Sequence, residues 1–565
     1  MGDSREVTTQ HQGRPAGAPS AGVAEERPTP ARGPGARRTS WWAALAGVAA
    51  AAVGFAVAEV VAAFVSPSAS PVYAVGAGFV DHVPPWLKEF ATSTFGTADK
   101  AVLIGGMVVV LALGAALAGV LELRRPPVGS VLLAAVGAVG AAVALTRPGA
   151  GLSWALPTVV GVVVAVMAVR ALLSLLRDWS AATRRAAAVG AAPGGQVETP
   201  LTAARLRESL DRRRFLAWTA TTAGAAVLVA AGSRVLGAST RAVTQVRDTL
   251  RLPRAAVPAD PVPPGADLHV DGLAPYVTEN DDFYRIDTAL RVPQVDPADW
   301  VLRVTGMVDE PFELTFAQLL DLPLEEHLLT LTCVSNEVGG SLVGNALWLG
   351  YPVRELLARA RPRAGADMVL STSVDGFTAG TPLEVLQDAD RECLLAVGMN
   401  GQPLPVEHGF PARLVVPGLY GYVSATKWVT ELKVTTFADD VAYWSTRGWT
   451  ERGPIKLASR IDTPTPGDGT AAGAVAVAGV AWHQHTGVAG VEVQVDDGPW
   501  RAARLADTVS SDTWRQWVYS WDATPGDHTL RCRATGADGE VQTEAQAPPA
   551  PDGATGWHTV EVSVS

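Results

Sequence analysis

Long apolar runs constrain this chain more than anything else in it. Residues 41–65, 101–121, 128–145, 154–176 and 215–236 are rich in Ala, Val, Leu and Gly and nearly free of charge. A helix needs about 20 residues to cross a bilayer, and these runs are too long and too uncharged for core helices of a water-soluble domain. Five membrane spans are therefore expected, with Arg170 near one end of the fourth, where its side chain can snorkel to the interface.

The basic residues set the expected orientation. Arg5, Arg14, Arg27, Arg32, Arg37 and Arg38 precede the first span, Arg124 and Arg125 follow the second, and Arg177, Arg184, Arg185, Arg205, Arg207, Arg212, Arg213 and Arg214 follow the fourth. The alternate loops hold only Lys88, Lys100 and Arg147. The N-terminus is then cytoplasmic, and everything beyond residue 236 lies outside. Arg212, Arg213, Phe215 and Leu216 match the twin-arginine export pattern at the mouth of the fifth span. A net charge of −11 without a basic stripe argues against nucleic acid as a partner.

Composition divides the rest. Residues 1–40 read as a disordered cytoplasmic tail, 41–180 as a four-span region, 181–214 as an Arg-rich cytoplasmic segment, 215–236 as the fifth span and 237–267 as a linker ending in "VPADPVPP". Residues 268–460 mix strand and helix signals: "DWVLRVTGMV" reads as a strand, "LTFAQLLDLP" as a helix behind a Thr cap, "YPVRELLARA" as a helix, and "DMVLSTSVDGF" and "ARLVVPGLYGY" as strands ending in turns. From 461 to 565 the pattern is short strands between turns, an immunoglobulin-like β-sandwich in which Trp482, Trp500, Trp514, Trp517 and Trp521 pack the core or an interface. The expected fold class is thus a five-span helical bundle, then an α+β domain, then a β-sandwich.

Cys333 in "LTLTCVSNEVGG" is one of three cysteines, too few to suggest a disulfide framework. A buried thiol is usually a small apolar side chain; the sharper reading is a thiolate ligand or nucleophile. Cys393 and Cys532 sit in strand-like contexts and read as core.

The segments around Cys333 carry a resemblance. "NDDFYRIDT" (280–288), "TCVSN", "GMNGQPLPVEHGFPARLVVPGLYGYVSATKWV" (398–429), "YWSTRGW" (443–449) and "IKLASRIDTP" (455–464) together resemble the sulfite-oxidase family of molybdopterin enzymes, and closely its membrane-anchored bacterial members. The resemblance runs from about residue 268 to the C-terminus, where the sandwich is similar to the family's dimerisation domain. It implies a molybdenum–molybdopterin cofactor with Cys333 as the metal's thiolate. Soft sulfur suits a high-valent metal already held by a dithiolene. A zinc site would want three or four ligands at close spacing, and none is visible here. The resemblance further implies cofactor contacts from Asp281, Tyr284, Arg285, Asp287, Ser373, Asp375, His408, Arg413, Ser424, Thr426 and Lys427. Arg413, Lys427, Ser424 and Thr426 suit a phosphate, and His408 suits the pterin.

Two departures bear on substrate. The family places an Arg five residues after the ligand Cys, where this chain has Val338, and a Tyr in the segment that here carries Trp449. Both changes point from sulfite toward a larger, less charged oxo-compound, unless Arg447 or Arg452 restores the cation. No His lies within the five spans, so a bis-His membrane haem is not expected and electrons should pass through a separate redox carrier. The implied partners are that carrier, a small-molecule substrate, the membrane and a second copy of the chain. The alternatives to an enzyme are a catalytically silent exported binding or sensor protein that keeps the fold, and a transporter-like protein with an exported sensor domain. The near absence of ionisable residues in the first four spans speaks against the transporter.

Overall fold

The structure is a computed structural model that describes residues 34–83, 99–147, 150–190, 198–235, 238–467 and 469–565. Most of the expected tail, residues 1–33, lies outside the described residues. Helix α1 (Pro34–Val65) opens inside that expected tail, on a residue type favoured in a helix's first turn. It is followed by α2 (Pro71–His82), α3 (Asp99–Arg124), α4 (Val128–Leu145), α5 (Leu156–Gly190) and α6 (Glu198–Val235).

Four stretches are long and apolar enough to cross a membrane: Arg38–Val65, Val102–Arg124, Val128–Leu145 and Leu152–Arg185. Val108, Val109, Val110, Leu113, Val131, Val139 and Met167 are exposed on these helices, aliphatic surface that suits a lipid surround. The fifth expected span falls in α6, whose side chains from 228 onward lie outside the described residues. Small residues let the helices approach closely. A Cβ on Gly47 would collide with the Ala115 carbonyl and one on Gly119 with the Ala43 carbonyl, which fits glycine at these crossings. One buried acid escaped the hydropathy reading. Glu122 is 3 % exposed, accepts from the Ser130 amide at 2.8 Å and lies 3.7 Å from Arg170.

Part of the expected linker is a helix, α7 (Ala238–Thr249), tied to the mixed half that follows by Arg247 Nε donating to the Leu404 carbonyl at 2.8 Å. The extended chain beyond it is docked as well, since Glu326 donates to the Val257 carbonyl at 2.9 Å.

The mixed half contains two five-stranded sheets. In the first, the spatial order is Phe312–Thr315, Val301–Gly306, Val429–Thr435, Met368–Ser373, Thr378–Pro382, and only the second and third are parallel. In the second, Glu325–Thr332, Val343–Pro352, Leu394–Met399 and Gln402–Pro403 lie in order, with Arg413–Val415 also paired to Leu394–Met399. The expected Thr cap is present: Thr315 and Gln318 form a reciprocal capping box at the helix Phe316–Leu320.

The C-terminal part is two four-stranded antiparallel sheets that share one core around Val477, Val491, Val493, Trp517, Leu530 and Val560. Trp517 and Trp521 fill this core, whereas Trp482 and Trp514 pack into the core of the mixed half. Trp500 sits edge-on to Trp557 at 4.9 Å. Cys393 and Cys532 are buried free thiols, each pushed up to about 12 by burial.

Candidate active site

Cys333 is the first residue beyond the strand Glu325–Thr332. The turn that follows is built around it. The Cys333 amide donates to the Leu342 carbonyl at 2.9 Å, Asn336 N donates to the Cys333 carbonyl at 3.1 Å, and Asn336 Oδ1 accepts from Leu342 N at 2.7 Å. The C-terminal sheets brace the same strand: Thr330 N donates to the Asp512 carbonyl at 3.0 Å and Gln484 Nε2 to Thr332 Oγ1 at 3.0 Å. The thiol is 8 % exposed and lines a cleft of about 910 Å³, counted out to its open mouth. Burial pushes its pKa up, while the Ser335 amide aimed at Sγ from 3.4 Å and the nearby Lys427 pull it down. The thiol is therefore poised to lose its proton when a cation takes its place.

The cleft gathers residues from distant segments: Tyr284 and Asp287, Ser373 and Asp375, His408, Arg413 and Lys427 all line it with Cys333. Arg413 is 5 % exposed and, among the described residues, forms no ion pair with a carboxylate. Its guanidinium donates only to the carbonyls of His408 and Leu414, at 3.2 and 3.3 Å, and lies 5.1 Å from the Trp348 ring. Burial lowers its pKa to about 10. Lys427 donates to Asp287 Oδ2 and to the Glu407 carbonyl, both at 2.9 Å, and burial lowers it to about 8 against the pull of Asp287. His408 is driven down to about 3, by burial first and then by Arg413 and Lys427, so it is a neutral ring. Its Nε2 lies 3.2 Å from the Asn280 carbonyl, which fixes Nε2–H as donor and leaves Nδ1 to accept. Tyr284 stacks on Phe283 at 5.1 Å, and its phenol is pushed up by burial and then by Cys333. Ser373 Oγ is buried without a hydrogen-bond partner.

A buried guanidinium without a carboxylate, a desolvated ammonium and an orphaned hydroxyl are expensive features unless an anion completes them. A phosphate-bearing pterin fits that donor set, and the lone thiol fits its metal.

The remaining expected contacts are placed elsewhere. Ser424 Oγ donates to the Tyr420 carbonyl at 2.9 Å and Thr426 Oγ1 bonds Ser371 Oγ at 2.7 Å, so both hydroxyls are spent inside the fold. Asp281 is exposed away from the cleft. Arg285 does not line the cleft; it pairs with Asp287 at 3.0 Å, and its charge adds a small downward push to His408 and Lys427. Val338 does not face Cys333: the turn carries it into a separate crevice beside Tyr420, Trp482 and Gln542. Arg447 stacks over Tyr443 at 3.5 Å and Arg452 pairs with Glu384 at 3.3 Å, so neither lines the cleft. Trp449 does line it, with Phe377, Tyr422 and Trp444, which sequence reasoning passed over. The clustering of Trp444 and Trp449 in one short segment was the available signal.

Helix α2 of the N-terminal part reaches this region. A Cβ on Gly76 of α2 would lie 2.9 Å from Leu290 Cδ1, two residues beyond the lining residue Thr288. Tyr73 of the same helix is pushed up to about 12 by burial, with Asp375 of the cleft adding to it.

Residues 289–444 match the oxidoreductase molybdopterin binding domain family. Mitochondrial sulfite oxidase of Homo sapiens is 28% identical over 341 residues, covering 51% of this chain and 62% of that protein. The inducible NADH nitrate reductase 2 of Glycine max is 32% identical over 171 residues, 26% of this chain and 19% of that protein. The chain thus spans less than two thirds of the length of these relatives. Among solved structures, the sulfane dehydrogenase SoxCD of Paracoccus pantotrophus aligns with a TM-score of 0.45 at 23% identity, covering 51% of this chain and 81% of that one.

Proposed function

We propose that this chain is a molybdopterin-dependent oxidoreductase of the sulfite-oxidase family, a membrane-anchored enzyme whose catalytic half faces outward and performs two-electron oxo-transfer on a small sulfur- or nitrogen-oxo compound. The observation that carries this reading is the buried, carboxylate-free Arg413 in the same cleft as Cys333. When bound, the molybdenum cofactor supplies the two-electron redox couple. The chain supplies its surroundings. Arg413, Lys427 and Ser373 hold the anionic end, His408 and Tyr284 present one acceptor and one donor to the pterin, and Cys333 gives its thiolate to the metal. The Ser335 amide tempers the charge on that sulfur. Phe377, Tyr422, Trp444 and Trp449 line the rest of the cleft with aromatic surface.

Those walls argue for an uncharged or weakly charged substrate. Among the described lining residues the charged donors are Arg413 and Lys427, both assigned to the cofactor, and neither Arg447 nor Arg452 turns inward. A charge-assisted hydrogen bond contributes about 1.5–3 kcal/mol, so its loss should weaken sulfite capture by roughly ten- to a hundredfold. With an artificial electron carrier, kcat/KM for an uncharged sulfoxide or N-oxide is expected to exceed that for sulfite by at least about tenfold, on the same reasoning. Efficient saturation at micromolar sulfite rejects this substrate class.

The arginines before the first span, after the second and after the fourth support a cytoplasmic N-terminus and a catalytic half outside. We assign α6 as the fifth span, the C-terminal sheets as an immunoglobulin-like domain that pairs with a second copy, and electron exchange to a separate carrier. Replacing Arg212 and Arg213 by Lys is expected to keep the catalytic half inside while the first four spans still insert. Protease added from outside reads the outcome, and unchanged cleavage of the catalytic half in the double variant rejects the twin-arginine route.

A further inference from the structure

Away from the cleft, the C-terminal sheets bring one imidazole and two carboxylates together. His483 follows the strand Gly473–Trp482, and Asp538 and Glu540 lie in the turn after the strand Gly526–Gly536. A ring nitrogen of His483 and one oxygen from each carboxylate all lie within 4.8 Å of one another. His483 is 9 % exposed, and its Nδ1 is buried with no hydrogen-bond partner. A Cβ on Gly536 would fall 2.9 Å from that Nδ1 and 2.5 Å from Asp538 Oδ1, so both atoms converge on space that only glycine leaves open. Among the described residues neither carboxylate pairs with Lys or Arg. The two carboxylates are exposed, and Asp538 Oδ1 also accepts from Glu540 N at 3.0 Å, but the buried nitrogen of His483 is costly unless a partner such as a cation satisfies it.

We propose that His483, Asp538 and Glu540 bind one divalent ion of the zinc class, with water completing the shell. An imidazole with two carboxylates suits zinc, whereas calcium and magnesium take oxygen ligands. The other cluster of this kind, Glu325, His327 and Glu392, differs in one respect: Arg354 lies 3.1 Å from Glu392 and 3.7 Å from Glu325 and supplies the positive charge itself. The proposed ion would also bear on the active site. It fastens His483 to the facing turn, where Ala537 N already donates to the Gly487 carbonyl at 3.0 Å. The next residue, Gln484, donates to the Thr330 carbonyl at 3.2 Å and to Thr332 Oγ1 at 3.0 Å, on the strand that ends just before Cys333.

The test is a zinc titration of the full-length, detergent-solubilised protein after chelation, beside the exposed double variant Asp538→Asn/Glu540→Gln. One zinc per chain, additional to molybdenum, is expected in the wild type, with affinity reduced at least about a hundredfold in the double variant through loss of both anionic ligands. Cobalt as a probe should give a visible spectrum that is lost in His483→Gln. No saturable zinc binding by the wild type at about 100 µM, a concentration ample for a built site, or less than a tenfold change in the double variant, overturns the proposal.

Discussion

Cys333→Ser is expected to leave a folded protein that no longer turns over. The side chain is 8 % exposed at the end of a fully paired strand, and the turn after it is held by backbone and Asn336 hydrogen bonds that serine leaves intact. The substitution nearly preserves volume, so the stability change should stay within about 1–2 kcal/mol. The chemistry is less forgiving. A hydroxyl oxygen is a harder donor than thiolate sulfur and does not deprotonate near neutral pH, so the metal loses its one protein ligand of the right softness. The rate constant with the best oxo-substrate should fall by at least about 10³-fold, roughly 4 kcal/mol in barrier. Thermal unfolding and molybdenum content, measured on the same sample, separate loss of chemistry from loss of fold. A variant within tenfold of the wild type would remove Cys333 from the metal.

Arg413→Met should strip the enzyme of cofactor. The native guanidinium is buried with no acid beside it, so the apoprotein bears the desolvation and the loaded protein recovers it through the cofactor's anion. Removing one partner of a buried charge pair typically costs about 3–5 kcal/mol, or roughly 10²–10³-fold in cofactor affinity. The apoprotein should be no less stable, because methionine fills the space without a charge to bury. Lys427 then becomes the remaining cation; its pKa, lowered to about 8 in the native chain by burial first and in part by Arg413, rises once Arg413 is gone and gives the site a pH dependence. Its folded value lies below that of an ordinary lysine. In the native apoprotein the charge is therefore present below about pH 8 and fades as pH rises through it, and in Arg413→Met the same loss moves to higher pH. Cofactor uptake by Arg413→Met should weaken over that range, and a further Lys427→Arg change should flatten the profile. Retained molybdenum in Arg413→Met at every pH would show that the anion is held elsewhere.

Much of this protein is legible residue by residue. Runs of Ala, Val and Leu longer than a bilayer's thickness specify helices wherever they occur, and Thr315 with Gln318 caps its helix through atoms three residues apart. Cys333 stands out as a lone thiol after a strand, and the motif "HGFPAR" names Arg413. These are short-range facts, set by periodicity and by chemistry within a few bonds.

The tertiary structure decided which polar groups remain free to act. Ser424 and Thr426 have the same hydroxyl as Ser373, yet theirs are consumed by Tyr420 and Ser371 while that of Ser373 is orphaned in the cleft. Val338 sits five residues from Cys333 and faces another crevice, because the Asn336 turn reverses the chain between them. Lys427 meets Asp287 across 140 residues, and Gln484 braces Thr332 across 152. By itself the sequence determined the helices, the strand that presents Cys333 and the identity of the cations near it. Whether a cation is left without its counter-ion, or a histidine nitrogen without a hydrogen-bond partner, is a property of the packed interior. It depends on contacts whose partners lie far apart in the chain and come together only when the low-dielectric core closes around them.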